Sequence, residues 1–156
     1  MKQPIRKLVP VLRHRQRGVA AIEFAIVVPM LILVLAPLIL WSRYMWHYTV
    51  LQKATQDAAR YMSTVSIAEM ASPTGSGYAH DIAVEIARRE VAELAPGSVI
   101  KNASVNCDGN DCGGGPPPQV VSVYIFFYFN DPIFGTFLGP QGLLMKNKVT
   151  MRYVGK

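Results

Sequence analysis

The stretch Arg17-Gly18-Val19-Ala20-Ala21-Ile22-Glu23-Phe24 opens directly into the run FAIVVPMLILVLAPLILWS, residues 24–42. That run holds no charged residue. As an α-helix it is about 28 Å long, close to the hydrocarbon thickness of a bilayer. A buried core helix needs other sequence on every side, and a chain of 156 residues supplies too little. The run therefore reads as a membrane segment, with its membrane part over about residues 24–42. Pro29 and Pro37 lie inside it. Each removes a backbone donor and crowds the carbonyl four residues earlier, so a kink or a loosened turn is expected.

Charge sets the direction. Lys2, Arg6, Lys7, Arg13, Arg15 and Arg17 precede Gly18 with no acidic residue among them. The chain has 16 basic and 10 acidic residues, so the part after the leader is balanced and its net charge of +6 belongs to the leader. A nucleic-acid partner needs its basic face on the folded body, so that class is set aside. The positive-inside rule keeps residues 1–18 cytoplasmic and puts the C-terminal part beyond the membrane. Trp41, Tyr44, Trp46 and Tyr48 cluster at the far end of the run, where amphipathic rings suit a lipid–water boundary. The run is too long for an ordinary signal-peptide core, and no small-x-small cleavage site follows before Trp41. Either the segment is an uncleaved anchor, or it is cut on its cytoplasmic side.

At the junction, a basic leader ends in Gly18, and Glu23 stands fifth after it. Glycine lets an extended backbone enter a protease cleft without a side chain in the way. A lone carboxylate in an apolar helix costs about 2.5–3.5 kcal/mol at mid-membrane, less near the edge, and is a functional candidate. Val19 and Glu23 are four residues apart, about 6 Å along one helical face. Cleavage after Gly18 creates an ammonium on Val19 that offsets Glu23 within the subunit or across to a neighbour. The bland alternative is that Glu23 marks the edge of an uncleaved anchor.

These residues resemble the processing site of type IV-type prepilins, most closely the Flp/TadE-like branch of the tight-adherence (Tad) system. The resemblance implies a membrane prepilin peptidase that cuts between Gly18 and Val19. It makes Glu23 the assembly glutamate, with Phe24 at the aromatic position beside it. The segment Gln52–Tyr61 also resembles the alanine-rich stretch after the membrane segment of TadE-like proteins. The implied role is a minor pilin or pseudopilin in Tad (Flp) pilus assembly, without enzymatic activity. The implied partners are the inner membrane, the peptidase, other pilin-like subunits and the Tad machinery. The implied place is the bacterial inner membrane, with the C-terminal domain periplasmic. A major Flp pilin is disfavoured, because such chains are little more than the helix. The rival is an uncleaved single-pass anchor presenting a periplasmic interaction domain.

Helical spacing continues past Ser42 through Tyr44, Tyr48, Leu51, Thr55, Ala58, Ala59 and Met62, with charged residues between. The expected layout is a leader over 1–18, an N-terminal helix over 19–62 and an α+β domain over 63–156. Pro73-Thr74-Gly75-Ser76-Gly77 reads as a loop, and a short second helix is expected from Asp81 to Leu94, ended by Pro96-Gly97. Strands are expected over Ser98–Asn106, Gln119–Asn130 and Lys148–Val154. The fold class is α+β: a long transmembrane and amphipathic helix, a short second helix and a small antiparallel sheet. The type IV pilin-like fold has this general form. Asp131–Leu144 reads as an apolar loop in which Ile133, Phe134, Phe137 and Leu138 form a sticky patch or lie under the sheet edge.

Cys107 and Cys112 enclose Asp-Gly-Asn-Asp. Outside the cytoplasm they are expected to pair, for about 2 kcal/mol by loop closure. Zinc needs two more ligands than this site offers, and the calcium-loop spacing is absent. His14, His47 and His80 form no pair with a nucleophile. No phosphate loop or metal cluster appears, so neither an enzyme nor a cofactor is expected.

Overall fold

The computed structural model describes residues 16–94, 100–139 and 141–155. The leader as far as Arg15 and the Pro96-Gly97 stop lie outside the described residues. The chain divides into two compact units, Met1–Trp41 and Ser42–Lys156.

Helix α1, Gln16–Thr64, runs through Pro29 and Pro37. Its residues within the first unit are taken up with the junction below. In the second unit α1 turns amphipathic. Leu51, Ala54, Thr55, Ala58, Ala59 and Met62 are buried at i, i+3, i+4 spacing, while Lys53, Gln56 and Arg60 face solvent. Thr55 is buried without penalty because its hydroxyl donates to the Leu51 carbonyl at 2.7 Å.

Helix α2, Ile67–Ala71, begins with Ser66 as N-cap, whose hydroxyl accepts from Glu69 N. Helix α3, Pro73–Ala92, follows after one residue, Ser72, which caps it by accepting from Gly75 N at 2.9 Å. The expected loop at Pro73–Gly77 is therefore the first turn of a helix longer than expected. Proline at N1 gives up an N–H that has no helical partner anyway, and a serine before it supplies the cap. Gly75 is needed there, since a Cβ would run into the Glu69 carbonyl of α2. Ser76, Ala79, Ala83, Ala87 and Val91 form the buried face of α3, which packs along the first strand of the sheet. Lys53 Nζ donates to Glu90 Oε2 at 2.7 Å and ties α1 to α3.

The sheet has four antiparallel strands in the order β2-β1-β3-β4. They are β1, Ile100–Cys107; β2, Asn110–Asp111; β3, Val120–Phe129; and β4, Leu143–Arg152. Central β3 buries Val121, Val123, Ile125, Phe127 and Phe129 on one face and half-exposes Tyr124, Phe126 and Tyr128 on the other. Register places Val105 and Val149 on either side of Val123. Strand β4 begins at Leu143, five residues before the expected Lys148. The chain pairs Leu143 with Phe129 as soon as Gly142 permits the turn, at a φ of 72°. Between β3 and β4 lies one short helix, α4, Gly135–Leu138. The result is the expected α+β class, consistent with a type IV pilin-like form.

Within the second unit, α1 and β3 run in opposite directions. The His47 ring lies 4.5 Å from the Phe129 ring at the end of β3, and Tyr44 meets Phe129 edge-on at 6.1 Å. At the other end, Val154 N donates to the Ser63 carbonyl and Tyr153 N to the Gln119 carbonyl, both at 2.9 Å. The unit thus has one end beside Arg43–His47 and another beside Ser63–Val65. Of the four expected boundary aromatics, Tyr44 and Tyr48 stack on one another at 6.5 Å and Tyr44 also meets Phe129, so these two serve packing, while Trp41 and Trp46 are exposed.

Candidate functional site: the Gly18–Glu23 junction and its helix

In the first unit the described side chains of α1 are exposed or half-exposed, Phe24 by 70% and Leu33 by 75%. From Gly18 the helix is long and apolar enough to cross a membrane, and none of its apolar window is buried in the folded chain. A helix kept in a protein core would be covered by its own chain. This one leaves its apolar surface for another apolar medium, as lipid provides.

Gly18, Val19, Glu23 and Phe24 all fall on this exposed helix. A Cβ at Gly18 would meet nothing within 4 Å, so packing makes no demand for glycine there. Glycine inside a helix also costs about 1 kcal/mol against alanine, which eases local unwinding. Glu23 has no hydrogen-bond or ion-pair partner among the described residues. Val19 and Glu23 share a face, one turn apart.

At the Arg43–His47 end of the second unit stands a pair that the sequence reading missed. Asp131 is buried, and its Oδ1 accepts from Ile133 N at 2.8 Å and Phe134 N at 2.9 Å. Its Oδ2 lies 2.8 Å from Arg43 Nε. That contact is ionic rather than an aligned hydrogen bond, since Oδ2 has no partner in good donor direction. Asp131-Pro132 after a strand signals an Asx turn, but nothing local in the sequence points to Arg43. His47 donates through Nδ1 to the Arg43 carbonyl at 2.7 Å, so it belongs to this packing.

At the opposite end Cys107 and Cys112 form a disulfide. Asp108, at a positive φ of 49°, closes the turn by accepting from Val120 N at 2.8 Å and Gln119 N at 3.0 Å. Its carboxylate is thus committed to backbone donors. Gly114 packs against Ser72 and Pro73, and Gly115 N donates to the Ala71 carbonyl at 3.1 Å, which lays the loop against the α2–α3 junction. Among the described residues no group of three or more His, Cys, Asp or Glu is placed to hold a metal.

A helix that exposes an apolar span, followed in sequence by a compact α+β unit, fits a single-pass membrane protein. Residues 18–60 match the family model described as TadE-like protein, a match that begins at the junction glycine and ends in the alanine-rich turn of α1. No curated protein and no solved structure matches the chain.

Proposed function

We propose that this chain is a minor pilin or pseudopilin of a tight-adherence pilus, a structural subunit without enzymatic activity. It enters the inner membrane with residues 1–18 cytoplasmic and residues 63–156 periplasmic. A prepilin peptidase cuts between Gly18 and Val19. The helix over 19–62 then associates with other pilin-like subunits, and the charge of Glu23 is offset by the new ammonium of Val19 or of a neighbour, with Phe24 beside it. Cys107–Cys112 braces the periplasmic domain.

The observation that carries this reading is the family match beginning at Gly18, a glycine that packing does not require. A protease that needs a bare backbone at the cut supplies the missing reason. Intact-mass measurement of the protein from native membranes tests it: a chain starting at Val19 supports the pilin, and one starting at Met1 leaves an uncleaved anchor with a periplasmic interaction domain. Glu23→Ala is expected to insert normally and fail in assembly, read by carbonate extraction alongside pilus counts. Unchanged pilus numbers would remove the carboxylate from the mechanism.

A further inference from the structure

Exposed apolar side chains occur in several places on the folded unit, among them Ile67 on α2, Tyr78 and Ile82 on α3 and Val154 after β4. Apolar exposure by itself therefore marks no site. The sheet offers something more ordered. One face of β3 is buried in the core, and the other carries Tyr124, Phe126 and Tyr128, all half-exposed. Alternate residues of a strand stand about 7 Å apart, so the three rings form a row. The Tyr124 and Phe126 ring centroids are 6.0 Å apart.

Register gives this row two unlike borders. On β4, Lys146 lies opposite Phe126, Lys148 opposite Tyr124 and Arg152 opposite Val120, and all three cations are exposed. On β1, Asn102 lies opposite Phe126, Ser104 opposite Tyr124 and Asn106 opposite Ser122. Directly opposed residues share a face, with Cβ atoms about 5 Å apart. Phe126 and Tyr124 each have a cation on one side and an amide or hydroxyl on the other. Among the described residues none of the three cations has an ion-pair partner. Asp111, opposite Asn106 on β2, is the one acidic residue of the four strands. It stands three strands from β4, about 14 Å away.

The repeat along the strands is one ring and one cation per step, with hydrogen-bonding groups beyond the ring. A nucleotide strand has the same order across its width: one phosphate, a flat base, and the polar edge of that base. Bases of a duplex stack about 3.4 Å apart, too close for rings at this spacing, whereas an unstacked strand can open to it. An acidic polypeptide or saccharide supplies the charge but no flat π-face at each step. We propose that this face of the sheet binds single-stranded nucleic acid. Bases stack on Tyr124, Phe126 and Tyr128, phosphates meet Lys146, Lys148 and Arg152, and base edges reach Asn102 and Ser104. Charge over the whole body is balanced, which set such a partner aside on sequence. Strand pairing is what gathers three cations beside the rings. The inference stands on the sheet alone and is independent of cleavage at Gly18 and of the medium around α1.

The test uses the full chain in detergent micelles, with the six leader cations replaced by glutamine so that they bind nothing. The probe is a short fluorescein-labelled oligothymidylate, followed by anisotropy over a range of salt. Binding is expected with a slope of log K against log salt of about −2, the value for three phosphate contacts on a single strand. Lys148→Gln is expected to reduce that slope by about 0.7. Phe126→Leu is expected to weaken binding about tenfold or more at an unchanged slope. Tyr78→Leu, exposed on α3, is expected to change neither. Lys148 is exposed, so its variant tests the face whether or not Phe126→Leu folds, which circular dichroism reports. No binding at low salt, or binding indifferent to both sheet substitutions, overturns the inference. Equal binding of the complementary duplex overturns it in favour of general charge attraction. Displacement of the strand by an oligouronate at equal charge concentration overturns it in favour of an acidic saccharide.

Discussion

Arg43 and Asp131 hold opposite charges in unequal surroundings, and the inequality decides what each substitution does. The Asp131 side chain is fully buried, whereas that of Arg43 keeps 29% of its exposure. Arg43→Gln strands a buried carboxylate and is expected to cost about 3 kcal/mol or more. Asp131→Asn keeps an acceptor for Ile133 N and Phe134 N and leaves an arginine that water can reach, so about 1–2 kcal/mol is expected. Urea unfolding of the two variants in detergent checks the order, and equal losses would contradict it. Tyr153 gives a second residue-scale case. Its hydroxyl donates to the Val65 carbonyl at 2.7 Å. Burial first, and the charge of Glu69 second, push its pKa above the ordinary value, and the same two causes act on Tyr61. A raised tyrosine pKa means that the folded state holds its proton to higher pH than the unfolded chain. The stability involved is complete below about pH 10, the ordinary value, and is lost as pH rises through the raised one. Tyr153→Phe is expected to cost about 1–2 kcal/mol at neutral pH and to flatten part of the alkaline fall. Denaturant midpoints at neutral and strongly alkaline pH show both effects.

At the scale of elements, the Cys107–Cys112 loop and the faces of α1 and α3 do different kinds of work. The disulfide spans five positions, so its loss through Cys112→Ser is expected to cost about 2 kcal/mol. A matching shift should follow from adding reductant to the wild type, and a melting temperature indifferent to reductant would contradict that value. The alanines of α1 and α3 act by being small. Ala58 and Ala87 are wholly buried, and Ala87→Leu forces extra methylenes into a filled interface for about 1–3 kcal/mol. The sequence made these elements legible where a local rule applied. Periodicity marked α1 beyond Ser42, and a β-branched and aromatic run marked β3. It misled where one residue type has two uses. Proline and glycine at 73–77 break a helix interior but open a helix when a serine precedes them, and only the cap geometry separates the two. The start of β4 was hidden for another reason: Leu143 and Leu144 gain their strand from pairing with Phe129 and Tyr128, a long-range fact. Gly18, Val19, Glu23 and Phe24 could be proposed from the sequence because charge, apolarity and spacing meet within a few adjacent residues. Arg43–Asp131 was not, because its two halves are brought together by the sheet.

At the scale of the molecule, two solvents divide the chain. The residues before Ser42 expose apolar side chains and have no described core of their own, while Ser42–Lys156 buries Leu51, Met62, Val91, Ile125, Phe127 and Phe129 in a core. The helical part of that unit, from Ser42 to Thr64, is long enough to hold its shape once its amphipathic face is packed. Its contacts to Phe129, Glu90, Asp131 and Val154 all lie within the unit. A fragment beginning at Ser42 is therefore expected to fold in water, to melt cooperatively and to retain the disulfide, while losing membrane insertion. Its thermal transition should be reduced by Arg43→Gln in the same order as in the full chain. A fragment that shows no cooperative transition would mean that the span lends stability to the folded unit, so that the two are one thermodynamic body despite their separate surfaces. A cooperative fragment would instead confine the effects of Gly18 and Glu23 substitutions to insertion, processing and assembly, since none of those residues contributes to the core that melts.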